Sequence, residues 1–201
     1  MKLFYSPGAC SLSPHIALIE AGAEFQAVKV GKDKQTEDGR DFRDINPFGY
    51  VPALELDDGS VLTEGPAIVQ YLADRAPQKK LAPANGTIAR YQLQEWLNFI
   101  TSELHKQFSP LFDPSMPDEA KEKFRGKIRN RFEWINEQLG DKPFLMGDDF
   151  TVADAYLFTV ANWSKHTGID LARWPKLQAY LARVTARPDV QTALKEEGLL
   201  K

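Results

Sequence analysis

An α/β first part followed by an all-helical second part is the fold class this 201-residue sequence predicts. Three observations carry it. Up to residue 76, short strand-like apolar runs alternate with helical ones. Beyond residue 86 the apolar residues recur at intervals of three and four only. Between them, residues 77–86 hold Pro77, Pro83 and Gly86 and little apolar content. The expected layout is therefore a mixed domain over 1–76, a linker over 77–86 and a helical domain over 87–201.

Each element has its own local reason. Lys2-Leu3-Phe4-Tyr5 reads as the first strand. Leu12 to Ala21 has helical periodicity and ends at Gly22, a good residue just past a helix end. Phe25, Ala27 and Val30 mark a second strand, followed by a polar loop with Lys32, Lys34 and Gly39. Asn46-Pro47-Phe48-Gly49 is a turn signal. Asp57-Asp58-Gly59-Ser60 lies between Pro52-Ala53-Leu54-Glu55-Leu56 and Val61-Leu62-Thr63, which predicts a hairpin. Gly65-Pro66 opens a helix through Leu72, with proline in the first turn. In the second part, Leu93, Leu97, Ile100, Leu104 and Phe108 form a core-facing stripe. Further helices are expected over residues 118–139, 151–164 and 175–187. Phe150-Thr151-Val152-Ala153-Asp154 has the form of a capping box with Phe150 as staple, a folding signal rather than a chemical one.

Composition narrows the function. The hydrophobic fraction of 43% suits a packed core, and the formal net charge of −3 points to neither nucleic acid nor an anionic membrane. Met1 runs straight into the first strand and no apolar run is long enough to span a bilayer, so the expectation is a cytoplasmic protein. A single cysteine forms no internal disulfide, and the Cys/His spacing predicts no metal. That cysteine, Cys10, follows a strand and a Pro7-Gly8 turn and precedes a helix. Helix N-termini carry partial positive charge and unpaired N–H donors, and a thiol there ionises more readily. A small buried hydrophobe is the competing reading of equal weight.

Taken together, five segments resemble the glutathione transferases, most closely the bacterial beta class. They are Lys2-Leu3-Phe4-Tyr5-Ser6-Pro7-Gly8-Ala9-Cys10-Ser11; Asn46-Pro47 with Val51-Pro52-Ala53-Leu54; Thr63-Glu64-Gly65-Pro66-Ala67-Ile68; Glu103-Leu104-His105-Lys106; and Phe150-Thr151-Val152-Ala153-Asp154-Ala155. Each is weak alone; their order and spacing are specific, and the resemblance spans the whole chain. It implies a thioredoxin-like first domain, an all-α second domain, a homodimer, and glutathione as co-substrate in detoxification of hydrophobic electrophiles.

The resemblance also implies a site. Val51-Pro52 matches a cis-proline turn that pairs with the cysteinyl backbone of glutathione. Glu64 and Gly65 match the γ-glutamyl end, with Gly65 standing where many relatives have serine. Lys34 is the candidate for the glycine carboxylate, with Lys32 competing. Asn98, Ser102 and His105 share a helix face by spacing; the beta class places Asn98 and Glu103 across a dimer interface and His105-Lys106 beside the catalytic cysteine. His105 is a candidate proton relay, and Lys106 favours an anion. Ser11 is a second-line activating hydroxyl or else a helix cap, and Tyr5 ranks below it. Phe112, Trp163 and His166 are candidates for the electrophile's apolar side. The alternatives are glutathione-dependent disulfide exchange, peroxide reduction or reductive dehalogenation at Cys10, and a non-catalytic ligand carrier.

Overall fold

Period-two alternation in the opening strand builds the first layer. The chain runs β1 (Lys2–Tyr5), α1 (Leu12–Ala21), β2 (Gln26–Lys29), β3 (Ala53–Glu55), β4 (Val61–Thr63) and α2 (Gly65–Arg75). The sheet order is β2-β1-β3-β4, with β1 and β2 parallel and the other pairs antiparallel. Alternation sends Phe4, Val28 and Ala53 to one face, where they close on Phe42 from a 3-10 turn; the Phe4 and Phe42 rings lie 5.6 Å apart. Leu3 and Leu54, paired across β1 and β3 and wholly buried, serve the face that α1 and α2 cover. Gly22 ends α1 at φ 66°, and its N–H reaches back to Leu18 and Ile19.

The helical part runs α3 (Ile88–Phe99), a π-helical stretch (Ile100–His105), α4 (Lys106–Phe108), a 3-10 turn (Ser109–Phe112), α5 (Asp118–Leu139), α6 (Val152–Ala161), α7 (Ser164–Thr167), α8 (Pro175–Thr185) and α9 (Pro188–Glu196). The stripe Leu93, Leu97, Ile100, Leu104 and Phe108 is buried. So is every residue of α6, a central helix apolar on all sides. Its capping box forms with Asp154 as the hub. The Asp154 carboxylate accepts from the Thr151 N–H at 2.8 Å, the Thr151 hydroxyl at 2.9 Å, the Leu145 N–H at 2.9 Å and the Tyr180 hydroxyl at 3.0 Å. No helix among the described residues is long and apolar enough to cross a membrane.

This computed structural model describes residues 1–200. Its chain forms two compact units, Met1–Ala82 with Ala186–Lys201, and Pro83–Thr185. That differs from the expected layout at two places. The break falls after Ala82, within the expected 77–86 linker, and Leu81 before it is buried. The expected 87–201 domain also loses its last helix: α9 belongs to the first unit because it packs on α1. His15 and Glu20 of α1 are buried there, the first bonded to Glu196 and Glu197, the second accepting from Nε and Nη2 of Arg187, each at 2.7 Å. The helix expected over 151–164 divides after Ala161, whereas the one expected over 175–187 forms as α8 and ends at Thr185; α9 lies beyond every expected helix.

Candidate functional site

In the first unit one loop, residues 46–52, contains Val51 and Pro52 and hydrogen-bonds Cys10 and Lys34. Asn46 shapes it by donating from its side-chain amide to the Tyr50 carbonyl at 2.7 Å. The Val51-Pro52 peptide is cis. The half-buried Cys10 thiol donates to the Val51 carbonyl at 3.2 Å. Lys34 donates from Nζ to the Gly49 carbonyl at 2.8 Å, which leaves two of its three ammonium protons for other acceptors. Lys32 is exposed. On the other side of the loop, a Cβ built on Gly65 would come 4.0 Å from the Pro52 ring, so the start of α2 adjoins the cis proline.

Glu64 and Gly65 form the entry to α2. Glu64 has φ 68° and ψ 111°, a sparsely populated conformation for a side-chain-bearing residue, costing on the order of 1–3 kcal/mol. Its carboxylate caps nothing in the helix and is exposed. The Gly65 N–H makes no hydrogen bond among the described residues and stands at a helix N-terminus, where the dipole favours an anion.

The turn before Cys10 is held from two directions. Ser11 does not cap α1: its hydroxyl accepts from the Ser6 N–H at 3.1 Å and donates to the Ser6 carbonyl at 3.2 Å. It is wholly buried, and its one proton is committed to that carbonyl, so the second-line role as thiol activator gives way to a turn-fixing one. Gly8, at φ 71°, donates to Glu197 at 2.8 Å. Glu197 Oε1 also meets His15 Nδ1 at 3.0 Å, while Glu196 meets His15 Nε2 at 2.7 Å. Both ring nitrogens therefore face carboxylates, which requires both to donate. Burial opposes a charged His15, but the hydrogen bonds and charges of Glu197 and Glu196 outweigh it and raise the pKa above 6.5. Tyr5 stacks on His15, with ring centres 5.8 Å apart, and burial followed by the Glu37, Glu197 and Glu196 charges raises its own pKa, which makes its phenol harder to ionise.

In the second unit the π-helical stretch rearranges the expected face. The i→i+5 pattern widens the turn, so residues three apart no longer stack as in an α-helix. Asn98 and Ser102 are exposed, whereas His105 is half-buried and turned onto Tyr156 and Trp163. Its Nδ1 lies 2.7 Å from the Tyr156 hydroxyl. Desolvation, then the Lys106 charge, lowers the His105 pKa to about 4, so it is neutral at physiological pH and a poor proton relay there. Lys106 is exposed, and Glu103 pairs with Arg131 at 2.6 Å. Trp163 stands within an aromatic group, its ring centre 4.8 Å from His105, 5.7 Å from Phe108 and 5.8 Å from Phe112. Phe112 is 51% exposed, so this group has an open apolar edge. His166 is exposed on α7 and no ring contact joins it to that group among the described residues.

Sequence reasoning missed Tyr156, His15 and Glu197. For Tyr156 a signal existed: a tyrosine inside an otherwise apolar buried helix needs a partner for its hydroxyl.

Comparison with known proteins places these features. The N-terminal domain model of the glutathione S-transferases matches residues 8–75, and the C-terminal domain model matches residues 99–188. The chain is 48% identical to glutathione S-transferase GstA of Escherichia coli O157:H7, over 99% of this chain and 100% of that protein. Among solved structures it is similar to BphK, a bacterial glutathione transferase seen in a ternary complex, at 58% identity and a TM-score of 0.97, over 99% of this chain and 100% of the other. It is similar also to a sphingomonad glutathione S-transferase complexed with glutathione, at 50% identity and a TM-score of 0.96, over 99% and 100% of the two chains. The chain belongs to the glutathione S-transferase family. It has the family's fold and is an enzyme of glutathione conjugation.

Proposed function

We propose that the loop 46–52 and the start of α2 hold glutathione. The Glu64 carboxylate takes the γ-glutamyl ammonium. The Gly65 N–H and the α2 dipole take the neighbouring carboxylate, the Val51 backbone pairs with the cysteinyl residue, and Lys34 meets the glycine carboxylate. This reading rests above all on Cys10 and Val51, 3.2 Å apart: a tripeptide paired with the Val51 backbone presents its thiol beside Cys10. Asn98, Ser102, Glu103, His105 and Lys106 join the site through their match to the beta class, with Asn98 and Glu103 serving a partner subunit in a homodimer. Phe112 and Trp163, with their open aromatic edge, receive the electrophile; His166 belongs to the same proposal on sequence position alone.

Conjugation then proceeds by loss of the glutathione thiol proton, attack of sulfur on an electrophilic carbon, and departure of the leaving group. The protein holds the nucleophile in an extended, fixed pose and offers the electrophile an apolar surface. Detoxification in the cytoplasm is the setting that fits this chemistry.

A second role follows from the Cys10 environment. The Cys10 thiolate attacks one sulfur of oxidised glutathione, the disulfide breaks, and one glutathione thiolate leaves. With one cysteine in the chain, glutathione is the resolving thiol. Cys10→Ala separates the roles. Aryl-halide conjugation should survive while disulfide exchange collapses, and the single adduct seen by intact mass after incubation with oxidised glutathione should vanish. Equal loss of both activities would make Cys10 the nucleophile's essential partner. An unmodified wild type would remove the mixed disulfide.

A further inference from the structure

Lys34 stands in a backbone conformation that favours glycine. Its φ is 67°, where a side-chain-bearing residue is strained. The backbone is nevertheless pinned: the Lys34 N–H donates to the Gly31 carbonyl at 3.1 Å, and the Lys34 carbonyl accepts from the Phe42 N–H at 2.8 Å. The side chain so placed reaches loop 46–52, where Nζ donates to the Gly49 carbonyl at 2.8 Å. An ammonium cannot accept, so the direction of this bond is fixed. The stem lies against the same residue: a Cβ built on Gly49 would stand 3.6 Å from both Cδ and Cε of Lys34, and Gly49 is buried. Inside the loop, the Gly49 N–H donates to the Asn46 carbonyl at 2.7 Å, and the Asn46 side chain spans the Phe48 N–H and the Tyr50 carbonyl. Asn46 shapes the loop from within; Lys34 ties its Gly49 side to the segment around residue 34.

We propose that Lys34 is a positioning residue: its ammonium fastens the Gly49 carbonyl and thereby sets the Val51-Pro52 backbone for the cysteinyl residue of glutathione before the tripeptide arrives. Val51 follows Gly49 by two residues, and its carbonyl already accepts from the Cys10 thiol at 3.2 Å. A loop held at Gly49 keeps in place both that carbonyl and the Val51 N–H, which makes no hydrogen bond among the described residues. A positive φ at a non-glycine residue persists only where the surroundings over-determine it. Here they do so through a charge-assisted bond covered by the lysine's own stem. The same ammonium keeps two protons for an incoming carboxylate, so the glycine end can bind without releasing the loop. Holding the loop in its binding conformation lowers the ordering cost of association.

The consequence for glutathione rests on the reading above; the fastening does not, and the two are read separately. Lys34→Met matches the lysine stem as far as Cε and ends without the ammonium. In the ligand-free protein, amide exchange followed by nuclear magnetic resonance should show the Gly49 N–H exchanging about threefold to tenfold faster in Lys34→Met, with the amides of α2 unchanged. Unchanged Gly49 exchange would overturn the fastening. Faster exchange throughout the sheet would overturn it too, by reducing Lys34 to general stability. Aryl-halide conjugation with glutathione and with its glycine ethyl ester, which has no carboxylate for Lys34, then tests the consequence. Lys34→Met should lower kcat/KM with the ester as well, by about threefold or more. Equal values for wild type and variant on the ester would confine Lys34 to the carboxylate and overturn the positioning role. A wild type that does not distinguish glutathione from the ester would remove the glycine-carboxylate assignment, while Gly49 exchange would still report the fastening.

Discussion

Glu64 shows how a single residue combines backbone strain with recognition. It has a positive φ and an exposed carboxylate that caps nothing in the helix it precedes, next to Gly65, whose N–H makes no hydrogen bond among the described residues. Observed strain of this kind is a pointer to function, since nothing local rewards it. Glu64→Gln keeps the shape and removes the charge. A charge-assisted hydrogen bond contributes about 1.5–3 kcal/mol, so glutathione affinity, measured by calorimetry, should fall by roughly one to two orders of magnitude. A glutathione analogue lacking the α-amino group should bind wild type and variant alike. If the variant weakens that analogue as much as glutathione, the γ-glutamyl assignment is wrong. Neighbouring residues were legible to different degrees. Cys10, Val51-Pro52 and Glu64-Gly65 stand in motifs whose spacing is local, so the sequence displays them. The ties of Ser11 to Ser6 and of Gly8 to Glu197 depend on backbone geometry and on residues 189 apart in the second case, and no local pattern announces them.

Among the elements, α6 and α9 illustrate opposite degrees of legibility. The Thr151–Asp154 box lies three residues apart before an apolar run, so a reader of the sequence finds the helix start. What the sequence hides is that Asp154 also accepts from Leu145 and Tyr180 while wholly buried. Thr151→Ala should cost about 0.5–2 kcal/mol, the ordinary loss of a cap. Asp154→Ala should cost more, about 3 kcal/mol or above, because it strands several buried donors at once. Denaturant unfolding would separate the two values, and equal small losses would reduce Asp154 to a simple cap. Helix α9 is obscure for a different reason. Its start is signalled by Pro188, and Val190 and Ala193 are its buried residues, but its place on α1 is a tertiary fact. Glu197→Ala removes the buried partner of His15 and the carboxylate to which the Gly8 N–H donates. Breaking such a buried pair typically costs about 3–5 kcal/mol. Hydrogen exchange should show the loss in α1 and in the turn before Cys10. Unchanged protection at Gly8 through Leu12 would count against α9 as the support of that turn.

At the scale of the whole molecule, two histidines with opposite perturbations set the pH range of stability. His15 binds its proton more tightly in the folded chain than in the unfolded one. Its contribution is complete below pH 6.5 and fades as pH rises through its raised value. His105 is the reverse: with a folded pKa of about 4 against 6.5 unfolded, the unfolded chain takes up the proton first, and stability declines as pH falls from 6.5 toward 4. Urea midpoints across pH should therefore peak near neutrality. His105→Gln should flatten the acid side and His15→Gln the alkaline side; a variant that flattens the opposite limb would contradict the assignment. The sequence by itself determined the two-part fold class, the strand and hairpin order, the capped central helix, and the family motifs at Cys10, Val51-Pro52 and Glu64-Gly65, because all of these are written in spacings of two to seven residues along the chain. Only the tertiary structure decided that α9 joins the first unit, that Ser11 and Glu197 hold the turn before Cys10, and that a π-helical stretch turns His105 onto Tyr156. Those outcomes follow from burial and hydrogen-bond pairing between residues far apart in sequence, and periodicity along the chain does not encode them.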